Sequence, residues 1–128
     1  MTEKPKKSST RQKAFKRGVL AEKAAGLILR IKGYKIISTR FKTPVGEVDI
    51  IAHKGNTLVF VEVKARRTEE DAAQSITPRQ QKRITRAASS FLASHSEYEG
   101  HDCRFDAILI TGLKPPKHIE NAWMAEDS

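Results

Sequence analysis

The stretch that decides the fold reads Gly46-Glu-Val-Asp-Ile-Ile-Ala-His-Lys-Gly-Asn-Thr-Leu-Val-Phe-Val-Glu-Val-Lys64. Both halves are rich in β-branched residues, which favours two strands. Gly55-Asn56 stands between them and is typical of a two-residue type II′ turn. That turn pairs Lys54 with Thr57 and fixes the register of the whole hairpin. Counting back from it gives two further pairs, Asp49 with Glu62 and Glu47 with Lys64.

This register places two carboxylates side by side. Directly opposed residues have Cβ atoms about 5 Å apart, and two negative charges at that distance repel by roughly 3 kcal/mol at an effective dielectric constant of about 20. The pair is stable if the two groups share a proton or if a cation lies between them. We therefore expect Asp49 and Glu62 to bind a divalent metal ion, with the backbone carbonyl of Val63 as an additional ligand.

Lys64 follows Glu62 by two residues and projects from the same face. Its ammonium group can orient a water molecule or stabilise charge that develops on a phosphate. The opposite face of the hairpin must be core, and it consists of Val48, Ile50, Ala52, Val59, Val61 and Val63. The alternative is a surface network in which Glu47 pairs with Lys64 and Asp49 is solvated.

Composition limits the function classes. The 128 residues carry a net charge of +9, of which residues 1–17 supply +6. We expect residues 1–16 to form a basic disordered tail and residues 17–126 to form one folded domain. This charge suits nucleic acid as the partner, although a solvated arm would explain the tail equally well. No apolar run approaches the ~18 residues of a membrane span, so no membrane partner is expected.

The cysteine and histidine residues indicate the cellular location and the class of metal ion. Cys103 is the only cysteine and no secretory signal is visible, so we expect a cytoplasmic protein. The four histidines lack the spacing of metal ligands, which argues against zinc. Asp106 is expected to pair with a cation in a structural role.

Periodicity and capping residues give the other elements. A helix over 17–32 should bury one apolar stripe, formed by Val19, Leu20, Ala24, Leu27, Ile28 and Ile31. Thr77-Pro78 should open a second helix. The polar residues 66–76 predict a loop. Strands are expected over 34–43, 103–111 and 118–124, which gives an α/β fold with a mixed sheet and helices packed on it.

Two further groups of residues are candidates for the site. On the first helix, Glu22 lies between Gly18 and Gly26, and these small neighbours would let the helix approach the sheet closely; ordinary packing with Glu22 at the rim is the alternative. Basic side chains could contact phosphates, although a solvated helix face commonly explains such runs. These candidates are Lys13, Lys16, Arg17, Arg66, Arg79, Lys82, Arg83 and Arg86.

At these residues the chain resembles a known superfamily. Asp49, twelve intervening residues and then Glu62-Val63-Lys64 resemble the PD-(D/E)xK nuclease motif, with Val48 in place of its proline. Taken whole, the chain resembles the bacterial YraN-like family, and the acids are arranged as in archaeal-type Holliday junction resolvases. The stretches that carry the family resemblance are Gly18-Val-Leu-Ala-Glu22, Gly46-Glu-Val-Asp-Ile-Ile-Ala52, Val59-Phe-Val-Glu-Val-Lys-Ala-Arg66, Arg104-Phe-Asp106 and Asn121-Ala122.

The resemblance implies a restriction-endonuclease-like fold, with a central mixed β-sheet flanked by α-helices. It implies that Asp49 and Glu62 bind Mg²⁺ or Mn²⁺, that Glu22 is an accessory ligand or holds a water, and that Lys64 is catalytic. The expected function is a metal-dependent endonuclease, a phosphodiesterase that acts on DNA, including branched or structured DNA. The alternatives are a non-catalytic nucleic-acid-binding module of the same fold and an adaptor in a nucleic-acid-processing assembly. Cleavage of two strands would suit a homodimer.

Overall fold

The computed structural model describes residues 6–112 and 114–125. The elements are, in chain order, α1 (Lys6–Ile31), β1 (Lys35–Thr43), β2 (Gly46–Lys54), β3 (Thr57–Ala65), α2 (Glu69–Gln74), α3 (Pro78–Ser94), a 3₁₀ helix (Ser96–Tyr98), β4 (Asp102–Ile110) and β5 (Lys117–Trp123). Within these ranges, no helix has the length and apolar character needed to cross a membrane.

The five strands form one sheet in the order β1-β2-β3-β4-β5. The first three strands form an antiparallel meander, β3 and β4 are parallel, and β5 returns antiparallel to β4. The parallel step needs a crossover, and α2 and α3 provide it. The predicted mixed sheet with flanking helices is confirmed, and the architecture is that of a restriction-endonuclease-like fold.

The predicted hairpin is present, and its paired stretch has the expected register, while the predicted pairs Asp49–Glu62 and Glu47–Lys64 lie beyond that stretch. Lys54 pairs with Thr57, and the paired residues continue to Ile50 with Val61. Gly55 has a φ of 58°, the positive value that the first central residue of a type II′ turn requires. The register that should bring Asp49 to Glu62 is therefore set at the turn.

Both faces of the sheet are buried, each under its own helix. Under α1 lie the expected core residues Ile50, Ala52, Val59, Val61 and Val63. Under α3 lies a second core, where Ile51, Leu58 and Phe60 are fully buried. Val48 was predicted on the first face but packs in the second core. Along β2, side chains therefore stop alternating between the two faces of the sheet at Asp49, between Val48 and Ile50.

The predictions for α1 were wrong in two respects. The helix begins at Lys6, so residues 6–16 are helical rather than disordered, and residues 1–5 lie outside the described ranges. The predicted apolar stripe is largely exposed, because α1 instead packs Ala21, Ala25 and Leu29 against the sheet. Small side chains on that face let the helix lie close to the strands. The larger residues Leu20, Leu27 and Ile31 are 64%, 58% and 76% exposed.

The segment over residues 66–76 was predicted as a loop but contains α2. Thr68 caps this helix by accepting a hydrogen bond from the Asp71 N–H, and Ala72 is fully buried. Three acidic residues in the first turn favour the helix dipole, which explains why a polar, acidic stretch is helical here. The cap of α3 was predicted correctly, since Thr77 accepts from the Gln80 N–H and Pro78 follows it.

Gly46 allows α3 to approach β2, because a Cβ there would collide with the backbone carbonyl of Arg83. We predict that Gly46→Ala lowers the free energy of unfolding by about 1–3 kcal/mol, since backbone cannot yield as a side chain does. Gly26→Ala is the control, because a Cβ at Gly26 meets nothing within 4 Å. That variant should gain about 1 kcal/mol from helix propensity. Urea denaturation measures both, and equal effects would contradict the close approach.

Candidate active site

A cavity of about 1200 Å³ opens at the end of β3, between α1 and α3. Strands β2 and β3 contribute Asp49, Glu62 and Lys64, and further charged residues come from the two helices and from the segment after β3. Its apolar wall comes mainly from small residues of α1 and from the end of β4. The cavity therefore lies where the two helical layers meet the same end of the sheet, and it contains the residues that the hairpin register predicted.

Asp49 takes the place of a backbone acceptor in the hairpin. In a two-residue hairpin, every second pair exchanges both backbone hydrogen bonds, so the Val63 N–H would be expected to reach the carbonyl of Val48. It donates instead to Oδ2 of Asp49, at 2.8 Å. The described pairing of β2 with β3 ends one step earlier, at Ile50 and Val61. The carboxylate thus fills the gap where the strands part, and the bond fixes its orientation.

The backbone is distorted along the same row of the sheet. Arg40 lies opposite Asp49 in the register of β1 and β2, and its φ of 54° is in the left-handed region that a non-glycine residue enters at a cost of about 1–2 kcal/mol. Such strain is concentrated at functional sites. The distortion of β1 and the altered alternation of β2 therefore coincide at the candidate site.

Glu62 is a buried acid, 8% exposed, beside a second acid. Burial raises its pKa to about 9, helped by the hydrogen bond to Asp49 and by the negative charge of Asp49, while Lys64 acts in the opposite direction. The raised pKa favours the protonated form of Glu62 beside the Asp49 carboxylate at neutral pH. A shared proton is what the predicted register requires of two adjacent acids.

Lys64 pairs with the buried acid rather than with the surface one. Its Nζ lies 3.5 Å from Oε2 of Glu62, and the side chain is 15% exposed. In the described part of the chain, Glu47 forms no ion pair with Lys64 and lies exposed at the cavity rim. The alternative of a solvated Glu47–Lys64 network does not describe this site.

Glu22 reaches the cavity from α1 but is bound to Arg40. The Arg40 Nε donates to Oε1 of Glu22 at 2.8 Å. The same carboxylate raises the pKa of Arg40, first through this hydrogen bond and then through its charge, and Asp49 adds a smaller effect. Sequence reasoning missed Arg40, because neither periodicity nor a motif distinguishes it from other strand arginines.

The predicted nucleic-acid contacts fall into three groups. Arg66 and Arg83 line the cavity, together with Arg67 and Gln80, which were not predicted. Arg79, Lys82 and Arg86 are exposed on α3 outside the cavity lining, and Lys16 is exposed on α1. The side chains of Lys13 and Arg17 lie outside the described part. The structure thus brings the acids, Lys64 and two of the eight predicted basic residues to one cavity.

The donor set suits one class of metal ion. Among the described residues, no three histidine, cysteine, aspartate or glutamate side chains converge on one point. Mg²⁺ needs only one or two protein carboxylates, because water and phosphate oxygens complete its octahedral shell. Asp49 and Glu62 meet that requirement, and their shared proton marks a place where a cation would substitute for H⁺. A structural zinc site would need four protein ligands, which this cavity lacks.

A second polar cluster lies around Asp106, which was expected to pair with a cation. Its fully buried carboxylate accepts hydrogen bonds from Arg104, His118 and the Asn121 N–H, at 2.8–3.0 Å. Burial alone would raise the pKa of Asp106, but these bonds lower it to about 2. The expected ion pair is confirmed, and it holds β5 against β4.

Fold and cavity define a mixed α/β protein of restriction-endonuclease-like architecture with an acidic hairpin site. Residues 21–110 match the family described as Uncharacterised protein family UPF0102. A UPF0102 protein of Rhodopseudomonas palustris (strain BisB18) is 47% identical over 112 residues, 88% of this chain and 83% of the relative. One from Nitrobacter winogradskyi is 47% identical over 112 residues, 88% of this chain and 95% of the relative. The chain belongs to the UPF0102 family, which is the YraN-like family.

The buried acid pair makes stability depend on pH. Because the pKa of Glu62 rises from 4.5 to about 9 on folding, unfolding releases a proton between these values, and stability falls as pH rises through that window. Glu62→Gln cannot titrate, so we predict that it gains stability relative to wild type from pH 5 to pH 9, by at most about 1.4 kcal/mol per pH unit. Urea unfolding in EDTA measures the difference. Parallel pH profiles for the two proteins would contradict the shared proton.

Proposed function

We propose that the chain is a divalent-metal-dependent endonuclease of the PD-(D/E)xK superfamily that hydrolyses phosphodiester bonds in DNA. The observation that carries this proposal is the convergence of Asp49, Glu62 and Lys64 in one cavity. Two carboxylates that share a proton, with a lysine 3.5 Å from one of them, form a site prepared for a cation and for phosphate. Membership in UPF0102 is compatible with the proposal and names no activity.

Asp49, Glu62 and the carbonyl of Val63 would hold the metal ion. Bound there, Mg²⁺ or Mn²⁺ would supply positive charge to the phosphate and favour ionisation of a water molecule. Asp49 is oriented for this role by the Val63 N–H, which fixes one of its oxygens. Glu62 would lose its proton when the ion is bound, since ligating carboxylates are ionised.

Lys64 and Arg40 would act on the substrate. The Lys64 ammonium can donate a hydrogen bond to a nonbridging phosphate oxygen or orient the attacking water, and its contact with Oε2 of Glu62, at 3.5 Å, keeps it in the cavity. Arg40, held by Glu22, adds a second positive group at the strand opposite Asp49. In this arrangement Glu22 serves as the partner that positions Arg40, in place of the accessory metal ligand that the family resemblance implies.

The shape of the cavity favours DNA with a distorted or branched backbone. Glu62 is 8% exposed and lies in a cavity between two helices, so we expect a phosphate to reach it more easily on a strand that leaves the regular duplex. Arg66, Arg67 and Arg83 surround the cavity and could hold phosphates on either side of the scissile bond. A homodimer would allow cleavage of both strands and stays a prediction.

Cleavage is tested with purified full-length protein, labelled linear DNA and a four-way junction, in Mg²⁺ or Mn²⁺ and in EDTA. We expect metal-dependent cleavage, strongest on the junction, that falls at least about 100-fold in Asp49→Asn and Lys64→Gln. Asp71→Asn and Lys117→Gln are the matched controls, because Asp71 lies exposed on α2 and Lys117 pairs with Glu69 at 3.2 Å. Both controls should cleave as wild type does.

Two results would contradict the proposal. Cleavage that persists unchanged in Asp49→Asn and Lys64→Gln would reject this site. Salt-dependent DNA binding without cleavage under any metal condition would favour the non-catalytic binding module. An RNA of the same sequence, run beside the DNA, decides between the two nucleic acids.

A further inference from the structure

A group of cations surrounds Tyr34 at the end of α1 that is remote from the cavity. Lys54 Nζ lies 5.6 Å from the centroid of the Tyr34 ring, and Arg104 Nη2 donates to the Tyr34 hydroxyl at 2.6 Å. Lys32 Nζ lies 2.8 Å from Nδ1 of His118, whose ring meets Tyr34 edge-on. We call these five residues, Lys32, Tyr34, Lys54, Arg104 and His118, the Tyr34 cluster.

The positive charge of the Tyr34 cluster exceeds that of the acids beside it. Asp106 is buried and neutralises Arg104, and Glu120 reaches only Arg104, at 3.8 Å. Within the described ranges, neither Lys32 nor Lys54 forms an ion pair with a carboxylate. In the described part of the chain, the exposed ammonium groups of Lys32 and Lys54 therefore lie near Tyr34 without a carboxylate partner.

The hydrogen bonds of the Tyr34 cluster leave donors for a ligand. An ammonium group only donates, so Nδ1 of His118 accepts from Lys32, and the Nε2–H donates to Asp106 at 2.8 Å. This bond uses one of the three N–H groups of Lys32. The ammonium of Lys54 lies over the face of the Tyr34 ring, and among the described residues it has no hydrogen bond or ion pair to an oxygen. Both lysines can thus donate to an anion while they keep their present contacts.

The turn after α1 fixes the backbone that carries Lys32 and Tyr34. The Tyr34 N–H closes the helix on the carbonyl of Leu29 at 2.9 Å. Gly33 has a φ of +96°, which a residue with a side chain rarely adopts. A Cβ there would make only ordinary contacts with Lys54, 3.4 Å from Cε and 3.8 Å from Nζ, so the backbone conformation is the reason for glycine at this turn.

We infer that the Tyr34 cluster binds a backbone phosphate of the nucleic acid whose scissile bond enters the cavity. This inference rests on the proposed function. Ten residues of helix separate Glu22 at the cavity from Lys32, which is about 15 Å, or roughly four to five nucleotides of a strand at 3.4 Å each. The strand would follow α1 from the cavity to the Tyr34 cluster.

Binding in EDTA tests the site without any cleavage. Fluorescence anisotropy of a labelled junction is measured against KCl concentration for wild type and for Lys32→Gln/Lys54→Gln. Loss of the one phosphate contact should reduce the slope of log K against log[salt] by about 0.9. Lys117→Gln, whose lysine is already neutralised by Glu69, is the matched control and should leave the slope unchanged. A double variant with the wild-type slope would overturn the inference.

A second measurement shows whether the site prefers a phosphate of DNA or a free phosphate anion. It uses wild-type protein, so it also tests the inference if the double variant does not fold. In wild type, the ring resonances of His118 and Tyr34 are followed by NMR during titration with a six-nucleotide DNA strand or with pyrophosphate. We expect both rings to respond to the DNA at lower concentration than to pyrophosphate. A response to pyrophosphate alone, or to neither, would overturn the inference. Wild-type protein that shows the expected salt slopes in EDTA but no cleavage in Mg²⁺ would keep the phosphate site and overturn the proposed function, so the two failures give different results.

Discussion

Two carboxylates held side by side in a buried hairpin are the constraint on which the rest of the site depends. Asp49 and Glu62 cannot both be ionised there without a compensating charge, and burial raises the pKa of Glu62 to about 9. A proton meets the requirement in the protein alone, and a divalent ion would meet it better. The arrangement costs stability at neutral pH, which is the pattern of a site retained for function.

Neighbouring parts of the backbone and the packing of both helices orient and enclose Asp49 and Glu62. The strands part at Val63, so that its N–H binds the Asp49 carboxylate, and β1 adopts a left-handed residue at Arg40 in the same row. The absence of a side chain at Gly46 lets α3 approach from one face, while alanines of α1 let that helix approach from the other. The cavity lies between these two close contacts. Helix packing thus decides how deeply the acids are enclosed.

The hairpin and its acids could be predicted from sequence because the information is local. A two-residue turn sets the register as far as Ile50 and Val61, and this brings the next residues, Asp49 and Glu62, to the point where the strands part. The buried face of α1 could not be predicted in this way, since large apolar residues such as Leu20 and Leu27 lie outside and alanines lie inside. Periodicity identifies an apolar stripe but does not reveal that a close approach requires small residues.

Other parts of the site depend on tertiary contacts that sequence patterns do not encode. The position of Arg40 in the site depends on the pairing of β1 with β2 and on its ion pair with Glu22 of α1. The Tyr34 cluster joins residues from the turn after α1 and from β2, β4 and β5, so nothing near Tyr34 in the chain indicates it. Lys32 directly follows α1, and residues of the same helix line the cavity, which relates the two sites geometrically.

The most direct test of the central claim is a calorimetric titration of the protein with Mg²⁺ or Mn²⁺ at pH 7, in buffers of different ionisation enthalpy. The acid pair predicts that one divalent ion binds with release of about one proton, because Glu62 must ionise to become a ligand. Asp49→Asn should abolish binding. Metal binding that releases no proton, or that is unchanged in Asp49→Asn, would contradict the claim that these two carboxylates form the metal site.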